Sequence, residues 1–460
     1  MILHELFERF EKHAPIAVML RAALENALSD ERLDALFKKH AQRQSNRQLL
    51  FSAVAEMMGL VAARIHPSPH AAFQARREEL GVTVKALYDK LQRIETNISR
   101  QLVRETAQRM DQIVRQTRGT LGELLPGHHV KILDGNHLRR TQRRIAELRG
   151  LNAAPLPGHA LVVLDPQTRL AIDVFPCEDG HASERSLLPQ VLETVQAGDV
   201  WIDDRNFSTA DFLLGIDDRQ AFFVTRQHTQ SPACELIGQR VRKGHCETGI
   251  VYEQAIRIVH DDGRSRIVRR ITVELARPTR DGDREIHILT NLPAEEVTAV
   301  AVAQLYQKRW TIETAFAEVA KNLSGELETL GYPRAALFSF CSALVAFNLL
   351  NVVMAALRGA HGAEKIEGNV SLYYFADEVS HTHRGLTIAV PERYWTKTYA
   401  SLTPTQLAQE LLRIARAMNL SRYQKHKRGP KKKIKPENKQ NRNHVSTQRV
   451  LAAARTRLYP

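Results

Sequence analysis

The sequence predicts a mixed α/β (α+β) chain, and three observations carry that prediction. Apolar residues recur at helical spacing through most of the first 118 residues, as in 46–63 and 95–118. From His128 onward the pattern changes to short apolar runs bounded by turns, which is the signature of strands alternating with helices. A polar, alternating block from 228 to 291 then reads as antiparallel strands before helical spacing returns.

Taken in order, 1–120 is a helical region. Within it GVTVKALYDKLQRIE (81–95) carries Lys85, Lys90 and Arg93 after a turn. It reads either as the recognition helix of a helix-turn-helix or as a solvated amphipathic helix. GTLGELLPG (119–127) is linker-like. HHVKILDGNHL (128–138) is a strand, and HALVVLDP (159–166) with RLAIDVF (169–175) is a hairpin about Pro166-Gln167-Thr168. A helix is expected over 183–195, a strand over GDVWIDD (198–204), a short helix at 208–215 and a strand over AFFVTRQ (221–227). EDGHASE (178–184) is rich in ligand types but reads as the turn and N-cap before its helix. Three strands, helix, strand, helix, strand is an order that resembles a ribonuclease-H-like core. The core is expected in two parts, 121–227 and 292–360, split by the β insertion 228–291. The insertion turns on Asp-Gly pairs at 262–263 and 281–282. One helix is expected from near Ala294 to Asn322, and a helical and basic region fills 361–460, with Thr403 as an N-cap.

Composition narrows the partners. Lys and Arg number 65 against 51 Asp and Glu, a formal charge of +14. Such an excess favours a polyanion, nucleic acid before membrane. SRYQKHKRGPKKKIKPENKQNR (421–442) holds ten Lys or Arg against one acid and reads as a flexible basic segment that contacts phosphates. The four cysteines form no C-x-x-C pair and no zinc spacing, so a reducing, cytoplasmic setting is expected. The N-terminus lacks the basic-then-apolar order of a signal peptide. Ala335–Leu357 is long enough to cross a bilayer, but Ser339, Ser342, Asn348 and Asn351 are costly in lipid, so a buried core helix is expected and no membrane partner.

Chemistry concentrates in YQKRWTIETAFAEVAK (306–321). Tyr306, Arg309 and Glu313 would fall within about 60° on one helical face. Tyr and Arg hold phosphates, and a carboxylate holds a hard cation. Partner carboxylates stand at two strand ends, Asp134 and Asp204, the latter directly after Asp203. Carboxylates converging from separate elements suit two Mg²⁺ or Mn²⁺ ions about 4 Å apart, the arrangement for in-line phosphoryl transfer. His137, Arg139, Arg140, Arg143 and Arg144 come soon after Asp134 and either line a DNA channel or form a solvated basic face.

ILDGNHL, WIDDRNF and Y-x-x-R-W-T-I-E resemble the three catalytic blocks of the DDE transposases of bacterial insertion sequences. The Tyr-Arg-Glu spacing, and the tail KRGPKKK followed by HVST (444–447), resemble the insertion-sequence-four family. The resemblance implies that Asp134, Asp204 and Glu313 are catalytic and hold the metals, and that Tyr306 and Arg309 position the DNA phosphate near the scissile bond. The family's Lys seven residues after the Glu is replaced here by Ala320. The neighbouring Lys321 is turned about 80° from Glu313, which leaves its phosphate-positioning role open. The implied protein is a cytoplasmic, nucleoid-associated bacterial DNA transposase. It binds terminal inverted repeats in double-stranded DNA, cleaves them with metal help and joins the ends to target DNA. A homodimer bridging both ends is implied as well. The alternatives are a transposase-derived DNA-binding regulator without catalysis and a ribonuclease-H-like nuclease without strand transfer.

Overall fold

The computed structural model describes residues 2–43, 48–279, 282–426 and 443–458. Most of the basic segment, from 427 to 442, lies outside them, as does Asp281 of the second Asp-Gly pair.

Nine of the eleven described strands build one mixed sheet in the order β4-β3-β1-β5-β6-β10-β9-β8-β7. β1 (His129–His137), β3 (His159–Asp165) and β4 (Leu170–Cys177) form an antiparallel meander. β5 (Asp199–Asp203) and β6 (Phe222–Arg226) then run parallel to β1 on its other side. This strand order, with parallel β1, β5 and β6, is that of a ribonuclease-H-like core. Its centre is apolar on both faces because helices cover both: β3 and β5 are buried along their whole length. The inserted strands β7 (Cys234–Cys246), β8 (Gly249–Val259), β9 (Ser265–Leu275) and β10 (Glu285–Thr290) extend the same sheet, since β10 pairs with β6.

The two faces carry separate cores. Val130, Ile132, Val200, Ile202 and Val224 face the larger one, shared with the helical N-terminal region and the helix Pro333–His361. Leu133, Val163, Trp201 and Phe223 face a smaller one with Leu187, Phe212 and Leu214.

Pro333–His361 is long and apolar enough to cross a membrane, but the apolar window lies wholly inside the protein, as a core helix should. Two of its polar residues bond back along the helix. Ser342 donates to the Phe338 carbonyl and Asn351 to the Phe347 carbonyl. Asn348 stands in for a missing strand: its Oδ1 accepts from Ala171 N and its Nδ2 donates to Ala171 O, both at 2.8 Å, on the sheet's edge strand β4. Without it two buried backbone groups would go unpaired, at about 1–3 kcal/mol each.

Thr403 caps its helix in a full capping box with Gln406. In the N-terminal region the helix Val84–Leu91 buries Leu87 and Leu91. Lys90 is turned inward, donating to the Leu49 carbonyl at 2.8 Å over the Phe37 ring, so it is withdrawn from any DNA-reading face.

Two elements had no counterpart in the sequence pattern. β2 (Ala154–Leu156) pairs in parallel with β11 (His444–Ser446), and the helix Thr447–Leu458 comes directly after. The chain therefore returns to the core after the basic segment, and Arg449 Nε reaches Asp179 Oδ2 at 2.7 Å.

Candidate active site

Asp134 and Asp204 are brought together by strand register. β1 and β5 are parallel neighbours with Ile132 opposite Ile202. Two residues further along each strand, Asp134 and Asp204 emerge side by side on the same face, because side chains alternate with period two. Asp203 faces the other way, opposite Thr225 on β6, and is fully buried. Burial pushes its carboxyl well above the ordinary carboxylate range.

Glu313 arrives from a helix that packs on β1, but the expected single helix is two. Ala299–Gln307 ends before Arg309, and Trp310–Asn322 begins after it. The junction is closed by i→i+3 bonds, Arg309 N to Tyr306 O at 3.0 Å and Ile312 N to Arg309 O at 3.2 Å. A tightened turn of this kind rotates the second helix relative to an ideal continuation of the first. Tyr306, Arg309 and Glu313 consequently belong to one helix end, one junction and one helix start.

Arg309 is the hub. Its Nη1 lies 3.1 Å from Asp134 Oδ2 and its Nη2 lies 2.5 Å from Glu313 Oε1. Its side chain is 9% exposed, whereas that of Glu313 is 52% exposed. Burial opposes the guanidinium charge, but Tyr306 and the carboxylates of Asp204, Asp134 and Glu313 outweigh it and raise the Arg309 pKa. Arg309 Nε is buried with no acceptor among the described residues, a donor in reserve. The Tyr306 hydroxyl points at Asp204 Oδ1 from 3.5 Å, beyond a strong O–H···O bond. Burial, with the Asp204 charge beside it, lifts the Tyr306 phenol far above its usual pKa.

Burial likewise pushes Asp134 up to about 6, against the lowering effects of Arg309 and of the Gly135 N–H, which donates to Oδ1 at 2.8 Å. Asp204 and Glu313 add to the rise. Three carboxylates thus share one basin with one guanidinium. The donor set is all hard oxygen, the chemistry that Mg²⁺ and Mn²⁺ prefer. Among the described residues, however, no three acidic, His or Cys side chains already close on one point as around an ion. Arg309 supplies the positive charge in that place.

Lys321 does not join this group. Its ammonium sits 5.8 Å from the ring centre of Tyr373. Three residues beyond the sequence expectation stand in the surroundings of these elements. Glu326 Oε2 accepts from the Arg139 backbone N at 2.8 Å and pins the chain leaving β1. Glu184 accepts from Asn206 Nδ2 at 2.6 Å. Trp310 is 63% exposed beside a cavity of about 710 Å³ lined by Val273, Leu275, Ile288, Tyr306 and Gln307. Only the Asp-Arg-Asn run hinted at Asn206, and nothing in the sequence marked Glu326.

Arg139, Arg140, Arg143, Arg144 and Arg149 are all exposed in the loop after β1. Arg139 is 3.6 Å from Glu326. Arg143, Arg144 and Arg149 contact only carbonyl oxygens, and Arg140 has no carboxylate partner among the described residues. The insertion differs: there Arg240, Arg257, Arg264, Arg266 and Arg269 each pair with an acid.

The fold is that of a ribonuclease-H-like core, with Asp134 and Glu313 bridged by Arg309 and Asp204 beside Tyr306. Residues 127–349, just under half of the chain, match the family model of the transposase DDE domain, a span that contains Asp134, Asp204 and Glu313. The chain is also similar to the Sinorhizobium fredii (strain NBRC 101917 / NGR234) protein named "Putative transposase y4zB", with 27% identity over 161 residues. That alignment covers 34% of this chain and 43% of the relative, so the chain spans less than half the length of the protein it matches.

Proposed function

We propose that this chain is a DNA transposase of the insertion-sequence-four type. It binds the terminal inverted repeats of its element, cleaves a strand at each end and transfers the freed 3′-hydroxyl to target DNA. One observation carries the reading. Asp134, Asp204 and Glu313, from two parallel strands and a helix, are drawn into one basin through Arg309 and Tyr306.

Asp134, Asp204 and Glu313 would hold Mg²⁺ or Mn²⁺, as two ions. Bound there, the metal supplies Lewis-acid polarisation of the phosphate and an acidified attacking oxygen. The protein's own part is positional. Arg309 exchanges its carboxylate contacts for a phosphate oxygen of the DNA, with Nε as a further donor. Tyr306 stays protonated and donates to the same phosphate. The unpaired arginines after β1 and the basic segment 421–442 hold the duplex by its backbone, so affinity falls steeply with salt. The enzyme works as a homodimer on two ends, with the bacterial nucleoid as its setting.

The test is a strand-transfer assay with Mg²⁺ and DNA carrying the element's ends. Joined products support transposition, cleavage without joining leaves a nuclease, and binding without cleavage leaves a regulator.

A further inference from the structure

Glu184 stands behind the site rather than in it. Period-two alternation turns residue 135 to the sheet face opposite Asp134. On that face the Glu184 carboxylate lies directly over the Gly135 backbone: a Cβ at residue 135 would fall 1.9 Å from Glu184 Oε1 and 2.5 Å from its Cδ. The other oxygen, Oε2, accepts from Asn206 Nδ2 at 2.6 Å. Arg185 Nε adds a bond to the Asn206 carbonyl at 2.7 Å. His137 Nδ1 lies 3.4 Å from Oε1. The turn Glu184–Leu187 is fixed in place by Ser183, whose hydroxyl accepts from Arg185 N, and by Leu187, which is buried in the smaller core. Glu184 itself is mostly enclosed, with 14% of its side chain exposed.

The two chain segments it grips are the ones that matter. Gly135 is bonded to Asp134, and Asn206 closes the turn that begins at Asp204, where Phe207 N returns to Asp204 O at 2.9 Å. β1 and β5 pair with each other only up to Ile132 and Ile202; beyond those residues Asp134 is paired with Val162 of β3 and Asp203 with Thr225 of β6, so no ladder pair joins the two aspartates directly. We propose that Glu184 is a positioning residue, a strap that ties the end of β1, at Gly135 and His137, to the turn after β5 at Asn206 and sets the spacing of Asp134 and Asp204. It also explains the glycine at 135, where any side chain would displace the strap. The proposal rests on Asp134 and Asp204 being metal ligands.

The experiment measures Mn²⁺ binding to the full chain without DNA, by electron paramagnetic resonance of free Mn²⁺, alongside thermal unfolding. Glu184→Ala should weaken Mn²⁺ binding by about tenfold or more, as loss of a group that orients metal ligands does. Glu184→Gln keeps an acceptor for Asn206 and should bind like wild type. Glu184→Asp, one methylene short, should fall between them with an unchanged unfolding midpoint. Gly135→Ala should also weaken binding, and Gly135→Ala with Glu184→Ala should be no worse than Glu184→Ala alone, because both disrupt one contact. Wild-type affinity in Glu184→Ala, or independent addition of the two effects, overturns the strap. Mn²⁺ binding that survives Asp134→Asn with Asp204→Asn overturns the metal-site reading itself and the strap with it.

Discussion

Arg309 Nη1 sits 3.1 Å from Asp134 Oδ2 while the same guanidinium holds Glu313, so a cation from the chain itself occupies the centre of the carboxylate basin. Without DNA, a metal ion must compete with it. Arg309→Ala should therefore bind Mn²⁺ more tightly in the absence of DNA, by about tenfold if the lost repulsion equals one pKa unit of interaction. The same variant should lose DNA cleavage, because the phosphate holder is gone. Titration of Mn²⁺ into wild type and variant checks the first half, and end cleavage checks the second. Weaker Mn²⁺ binding in Arg309→Ala would show that the arginine organises the site instead of filling it.

The Asp134 carboxyl gives a pH signature. Its pKa is raised from 3.8 to about 6 in the folded protein. Between those values the folded state binds more protons than the unfolded chain. The stability it contributes is complete below about pH 4 and is lost as pH rises through about 6. Asp134→Asn removes that titration. It should leave the protein more stable than wild type at pH 7–8, by on the order of 2 kcal/mol, and close to wild type at pH 4. Denaturant unfolding at the two pH values tests the sign.

Neighbouring aspartates should behave oppositely. Asp203 is fully buried, with its carboxyl held toward the protonated form, so Asp203→Asn replaces a neutral acid by a neutral amide. Stability should change little and Mn²⁺ binding should persist. Asp204→Asn should abolish Mn²⁺ binding while the fold survives. The reverse pattern would assign the second ligand to Asp203.

The strand pattern of the core was legible because each central strand is a short apolar run closed by a turn. The register that joins Asp134 to Asp204 comes from those runs. The break between Gln307 and Trp310 was not legible, because Lys308 and Arg309 suit a helix and no proline or glycine marks the junction. β2 and β11 are three residues each, too short for a period to show. Glu184 reads locally as part of a cap, and only tertiary folding sets it over Gly135. The Tyr-Arg-Glu block singled out Tyr306, Arg309 and Glu313, but the contacts between Arg309 and the carboxylates depend on strands far away in the chain.

The loop after β1 should carry part of the DNA affinity. Arg140, Arg143 and Arg144 are exposed and without carboxylate partners among the described residues. Replacing all three by Gln should reduce the slope of log affinity against log salt by up to about 3, near 0.9 per lost phosphate contact. Replacing Arg257, Arg264 and Arg266, which are paired with acids, should change the slope far less. Fluorescence anisotropy across a salt series distinguishes the two sets, and equal slopes would remove the loop from the DNA path.

The central claim is that Asp134, Asp204 and Glu313 act as one catalytic unit, and Mg²⁺-dependent cleavage of element-end DNA tests it most directly. Asp134→Asn, Asp204→Asn, Glu313→Gln and the triple variant should be assayed with DNA binding measured on the same samples. Each single variant should lose about 10³-fold or more in cleavage, the triple should be no worse than the singles, and all should bind DNA like wild type. Cleavage at wild-type rates by any one of the three, with binding intact, would contradict the account.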